Sequence, residues 1–509
     1  MKIAMVSSEC EPFAKTGGLA DVVDALARAL GGLGHEVDVY LPKYRGLEPP
    51  GPVERTLLAV PGREPPGAGR GGAMADAMVG LLTSRANGYR LRLVDHPWSF
   101  DRAAYYGEGG SDYADNGARF ALLGRAALEA IRSEGGGVGV LHGHDWQSGP
   151  AVLLDQYRYG ADPALSGMAT VVTCHNLAYH GWVPRERAWA LDLPADVGRP
   201  DGVDLLREAV ARADIVNTVS PTYAEESRTP EYGAGLDDVL RARGDRYTGI
   251  LNGIDRRLWD PETDEALPAR FSAADRAGKA DCKRELCERL GIDAVAAGGT
   301  ATADGLPGAT AWGERGAPLF GMVGRLDPQK GFDLLTGAAD SLLRDGARLV
   351  ILGTGDERLV AGLRDTAARW PGRVVILERF DRDEARRVYA ASDMLLMPSR
   401  FEPCGQSQMI AMRYGTIPLV RRTGGLADTV RDADEDVSAG DGFVFGAADP
   451  SALAAAASRA VAAYRVAPRW HAIMARAMAR DFSWDASAPR YVEAYERAIA
   501  IRDAARAAR

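Results

Sequence analysis

The stretch KTGGLADVVDAL, Lys15 to Leu26, lies between an apolar run from Ile3 to Val6 and the segment GHEVDVYLP at 34–42. This order reads as a buried strand, a loop through Gly17 and Gly18, a helix carrying Leu19, Val22, Val23, Leu26 and Leu30 on one face, and a second strand. Such a succession opens a parallel α/β sheet, in which ligands collect beyond the carboxyl ends of the strands. The phrase returns as RTGGLADTVRDA, Arg422 to Ala433. There it ends a second alternation that runs through PLFGMVGRL (318–326), ARLVILGTG, GRVVILERF, DMLLMPSR and IPLVRRTGG. At 509 residues the chain exceeds what one hydrophobic core fills, so one device used twice predicts two similar α/β domains.

Composition narrows the function classes. A net charge of −9 gives no bulk attraction to nucleic acid or to an anionic membrane, so a phosphate-bearing ligand must be held by a few local cations. Cys10, Cys174, Cys282, Cys287 and Cys404 are odd in number, scattered and without a CxxC pair. That pattern argues against a disulfide framework and a zinc knuckle, and fits a reducing cytoplasm. The opening MKIAMVSSE has only a short apolar run, and no stretch of about 18 apolar residues follows it, so neither an export segment nor a membrane span is expected.

Between the two alternations, residues 291–318 are rich in Gly, Ala and Thr and read as a surface insertion; PGREPPGAGRGG at 61–72 reads as another exposed loop. The alanine-rich tail from Pro450 has helical patterning and ends in YVEAYERAIAIRDAARAAR.

Four constellations carry chemistry. Lys15-Thr16-Gly17-Gly18 offers backbone N–H groups and a cation at a helix N-terminus, which suits a phosphate and equally suits a plain glycine turn. GRLDPQKG sets Arg325 and Lys330 five residues apart after a buried run. Both could meet a pyrophosphate, or form an ordinary charged loop. In SRFEPCGQSQMIAMRYG, Glu402 lies in a loop entering a helix whose first turn contains Gly405 and Ser407, and Cys404 reads as a small packing residue rather than a nucleophile. LHGHDWQSG and TCHNLAYHGW supply His142, His144, Asp145, His175, Asn176 and His180. Their density raises metal ligation, but HxHD is followed by Trp146 where the hydrolase pattern needs a different continuation. Their shared position at strand ends instead places them on one rim.

Together with DHPWSFDR, DYADNGARF, NTVSPTYAEE, GILNGIDRRLWDP and FSWDASAPRYVEAYERA, these phrases occur in one order along the whole chain. In that order the chain resembles the bacterial and plastid glycogen and starch synthases, retaining glucosyltransferases of the GT-B fold. The resemblance implies two Rossmann-like domains facing across a deep cleft: residues 1–255 on the acceptor side, 256–484 on the nucleotide-sugar side, and a helix over 485–509 packing back on the first. It implies transfer of glucose from ADP-glucose to the non-reducing 4-OH of an α-1,4-glucan or glycogen, with retention and without a metal or other cofactor. A related GT-B transferase with another nucleotide sugar or acceptor is the alternative.

By the same resemblance, Glu402, His175, Asp145, Arg325 and Lys330 carry the reaction, His175 through its main-chain carbonyl. Lys15, Gly17, Gly18, Asp21, Asn252, Arg325, Lys330, Phe380, Cys404, Gly405 and Ser407 form the donor set. Three departures stand out: Phe380 where a tyrosine is common, Gln406-Ser407 in place of Leu-Thr, and Gly324 and Asp327 where serine and threonine or valine are usual.

Overall fold

The run Ile3 to Val6 is fully buried in the strand Lys2–Val6, and the chain winds outward from it in both directions. A computed structural model describes residues 1–62, 77–293 and 315–508. It divides into two units, Met1–Gly253 with Trp484–Arg509, and Ile254–Ser483. The anticipated surface insertion at 291–318 and the loop at 61–72 lie largely outside the described residues.

The first unit holds a nine-stranded sheet in the order Tyr247–Gly249, Ile215–Thr218, Ala169–Cys174, Val140–His144, Lys2–Val6, Glu36–Pro42, Tyr89–Asp95, Ala77–Ala86, Glu54–Val60. The last two strands run antiparallel and close one edge; the remaining pairs are parallel. Counting only parallel strands, the order is doubly wound. Its switch point falls between Lys2–Val6 and Val140–His144, where such sheets open a crevice for ligands.

The six strands of the second unit are all parallel, in the order Val374–Leu377, Arg348–Leu352, Leu319–Val323, Met394–Met397, Ile417–Arg421, Phe443–Phe445. That is the 3-2-1-4-5-6 winding of a Rossmann sheet. Its switch point lies between Leu319–Val323 and Met394–Met397, so GRLDPQKG and SRFEPCG are the loops that flank it.

The repeated phrase starts a helix in both units, but the two helices differ. Gly18–Gly32 runs for 15 residues and buries Val22, Val23, Leu26 and Leu30. Gly424–Thr429 stops after 6 residues, because the apolar stripe is not renewed in RDADEDVSAGDG.

From Trp484 the tail helix Trp484–Ala507 buries Trp484, Ala488, Tyr491, Tyr495 and Ala498, spaced four and three residues apart along one stripe. They join the same core as Ile3, Leu141 and Val171. Among the described residues no helix is long and apolar enough to cross a membrane.

Candidate active site

Beyond the first strand, the glycine loop is held by an anion from its own chain. The Glu9 carboxylate accepts the N–H groups of Thr16 at 2.6 Å and Gly17 at 3.2 Å, the Thr16 hydroxyl at 2.5 Å and the Tyr106 hydroxyl at 2.6 Å. Two of the donors read from the sequence as a phosphate cradle, the N–H groups of Thr16 and Gly17, are thus already engaged. Lys15 likewise pairs with Asp21 at 2.5 Å and Glu11 at 3.4 Å. A Cβ placed on Gly17 or Gly18 would nevertheless meet nothing within 4 Å. The loop therefore presents a bare backbone surface that packing alone does not require.

At the end of Val140–His144, Asp145 adopts φ 54°, a left-handed conformation that aspartate tolerates better than most residues. From there its Oδ1 accepts the N–H groups of His175 at 2.6 Å and Asn176 at 3.4 Å. Burial raises the Asp145 carboxyl to about 7, against the pull of those two bonds.

Three of the four histidines interlock rather than converge on open space, while His180 pairs with Asp204 at 2.6 Å. His144 Nδ1 and His175 Nε2 are 3.0 Å apart, while His142 bonds Thr173 Oγ1 at 2.7 Å and the Tyr495 hydroxyl at 2.9 Å. Burial lowers His142 and His175 to about 3, so both are neutral near pH 7. Next to them opens a cavity of about 800 Å³ whose walls include Tyr113, Trp146, Tyr179, His180, Trp182 and Trp189. Rings alternating with polar edges suit a carbohydrate.

In the second unit, Asp327 caps the short turn Pro328–Lys330 by accepting the Lys330 N–H at 3.1 Å. This turn aims the Lys330 ammonium at Glu402 Oε2, 2.6 Å away, where the Ser399 hydroxyl also donates at 3.0 Å. Glu402 is buried. Its carbonyl accepts the Gly425 N–H at 3.0 Å, and a Cβ on Gly424 or Gly425 would lie 2.0 Å from the carbonyl oxygen of Glu402 or Cys404. The second copy of the repeated phrase is therefore a buttress beneath the SRFEPCG loop.

Arg325 reaches out from the neighbouring strand end with its side chain 67% exposed, 3.4 Å from Asp327. Phe380 is also exposed. Cys404 is a buried thiol in no disulfide, and the Ser407 hydroxyl accepts from the Tyr389 hydroxyl at 2.9 Å. Gly405, at φ 70°, precedes the helix Ser407–Arg413 instead of lying in its first turn. The left-handed backbone needed to enter that helix excludes Gly405 from it.

Residues 2–242 match the family model of the starch synthase catalytic domain, and residues 312–471 match that of glycosyl transferases group 1. The chain is 40% identical to a glycogen synthase of Syntrophotalea carbinolica, covering 99% of this chain and 100% of that protein. It is 43% identical to one from an Anaeromyxobacter species, covering 98% and 100%. The chain belongs to the glycogen synthase family.

Its fold is accordingly GT-B and its chemistry glycosyl transfer. Among solved structures, the catalytic domain of starch synthase IV from Arabidopsis thaliana, bound to ADP and acarbose, superposes with a TM-score of 0.82 at 33% identity over 98% of this chain and 99% of that one. A sucrose-phosphate synthase from Thermosynechococcus elongatus, at TM-score 0.58 and 18% identity over 98% and 99%, shares the fold alone.

Within this member of the glycogen synthase family, the structure brings Asp145 to His175 and Lys330 to Glu402. Asn252 is buried, and its Oδ1 has no partner among the described residues. Glu9, Tyr106 and Ser399 were not singled out from the sequence. For Glu9 the available signal was a carboxylate three residues past the first strand, within reach of a loop rich in unpaired N–H groups.

Proposed function

We propose that this protein transfers glucose from ADP-glucose to the non-reducing 4-OH of an α-1,4-glucan, keeping the anomeric configuration. The full-length likeness to glycogen synthases supports the reaction. The observation that carries the residue assignment is the Lys330–Glu402 pair beside the exposed Arg325.

As the C1–O bond to the nucleotide breaks, negative charge grows on the pyrophosphate, and the two cations stabilise it more than they stabilise the intact donor. An arriving diphosphate competes with Glu402 for Lys330. The carboxylate so released orients the glucosyl unit and offsets positive character at C1. Asp145 fixes the His175 peptide, whose carbonyl is assigned to the anomeric carbon. Gly17, Gly18, Lys15, Asp21, Asn252, Phe380, Cys404, Gly405 and Ser407 complete the proposed donor set, with the Gly405 and Ser407 N–H groups assigned to the distal phosphate. The aromatic cavity is assigned to the glucan.

Phe380 offers the nucleobase a ring face without a hydroxyl. Incorporation of radiolabelled glucose into glycogen from ADP-glucose and from UDP-glucose tests the donor. Faster incorporation from ADP-glucose is expected; preference for UDP-glucose would replace the donor assignment while leaving the reaction class intact.

A further inference from the structure

The phrase DHPWSFDR has no role in the reaction described so far, yet it is bound to DYADNGARF, whose Tyr113 lines the aromatic cavity. Arg102 makes a bidentate ion pair with Asp115 at 2.8 and 2.5 Å, donates to the Trp98 carbonyl at 3.2 Å, and lies 4.7 Å over the Tyr113 ring. Behind it, buried Arg119 donates to the carbonyls of Ser99 at 2.5 Å and Tyr105 at 3.1 Å, and to Asn116 Oδ1 at 2.7 Å. A hydrogen bond of 2.9 Å between His96 Nδ1 and Ser99 Oγ closes the turn, and Phe100 anchors it in the core.

From this pinned turn the Trp98 indole stands 89% exposed, more than any other large hydrophobic side chain among the described residues. An isolated exposed apolar residue needs no explanation. One whose carbonyl, together with that of the next residue, is held by two arginines is different, because its position is preorganised and ordering it on binding costs little.

Tyr113 and Asp115 also line the 800 Å³ cavity, so Arg102 ties the Trp98 turn directly to the cavity wall. A cavity of that size encloses a short oligosaccharide, whereas a growing glucan is a polymer whose remaining length must pass over an edge. The C–H faces of glucosyl rings pack on aromatic surfaces, and their hydroxyls point outward from the ring edges to solvent or polar neighbours.

We propose that Trp98 is a stacking platform for the glucan outside the cavity, gripping a glucosyl unit several positions from the reacting end and so favouring long acceptors. The inference rests on the reading that the cavity receives the acceptor.

Kinetics of the full-length enzyme and of Trp98→Ala, with glycogen and with maltotriose as acceptors, test it. The KM for glycogen should rise roughly 3- to 10-fold. The KM for maltotriose, the KM for ADP-glucose and kcat should stay unchanged, and Trp98→Phe should recover part of the loss. An unchanged KM for glycogen, or an equal rise for both acceptors, overturns the proposal.

Mobility in native gels containing glycogen supplies a readout that needs no turnover. The wild type should be retarded more than Trp98→Ala, and equal retardation overturns the platform even if the wild type proves active. A wild type that is retarded but transfers no glucose refutes the reaction while sustaining the platform. If Trp98→Ala instead changes only the sedimentation coefficient, a second copy of the chain covers the indole and the proposal fails.

Discussion

The Asp145 carboxylate accepts the backbone N–H of His175 at 2.6 Å, joining the ends of two adjacent parallel strands. In the proposed mechanism it is a positioning residue that orients the 175 peptide. Asp145→Ala should lower kcat on the order of 10²-fold with a much smaller change in donor KM, since slight misplacement near a reacting centre has that scale of effect. Asp145→Asn keeps an oxygen acceptor and should recover part of the loss. Steady-state kinetics of the two variants decide this, and equal loss in both would point to a role for the charge itself.

The same group makes stability depend on pH. Its folded value of about 7 lies above the ordinary 3.8, so folding favours the protonated form. The associated stability is complete below the unfolded value and is lost as pH rises through about 7. Asp145→Asn cannot lose it. The Tm of the variant minus that of the wild type should therefore grow between pH 5 and about pH 8, by roughly 2–4 °C for each kcal/mol involved. A difference that is flat across this range refutes the assignment.

Lys330→Ala should reduce kcat by on the order of 10²-fold or more, as removal of other electrostatic stabilisers does. A variant with raised KM and intact kcat would show that Lys330 only binds. Glu402→Gln should fold, since the Ser399 and Gly425 bonds survive, and yet be nearly inactive in the glucose incorporation assay.

Asp327 both caps the Lys330 turn and faces Arg325. Asp327→Ser retains a capping oxygen and removes the competing anion. Because exposed ion pairs contribute about 1 kcal/mol at most, donor KM should fall by no more than about 5-fold, with Tm unchanged. A rise in donor KM would mean that Asp327 positions Arg325 productively.

The two glycine pairs should answer substitution differently. Gly17→Ala adds a methyl group where nothing lies within 4 Å, at an ordinary backbone angle, so Tm should hold and only donor KM should rise. Gly425→Ala places its methyl 2.0 Å from the Cys404 carbonyl, and both Tm and kcat should drop as the Glu402 loop is displaced. Thermal melts paired with kinetics separate the two cases.

Local pattern carried the alternation of strands and helices into the sequence reading, because period and glycine punctuation are properties of neighbours. The rule that ligands gather at strand carboxyl ends then marked Asp145 and His175, while the resemblance to glycogen and starch synthases supplied the roles expected of Arg325 and Glu402. What stayed hidden was partnership. Lys330 and Glu402 are 72 residues apart, and Glu9 meets a loop whose donors looked vacant until the chain was folded. The second RTGGL phrase resembles the first letter by letter, yet its glycines answer to the Glu402 and Cys404 carbonyls, which no local pattern reveals.

The helix Trp484–Ala507 completes the core of the unit that begins at Met1, and its Tyr495 hydroxyl bonds His142 on a central strand. During synthesis the ribosome must therefore finish the whole of the intervening unit before the first one can close. Until then the groove that awaits this helix is exposed on the nascent chain, a natural place for a chaperone to attend. A premature stop just after Ser483 would leave all nine strands of the amino-terminal sheet in place but without the helix that covers their core.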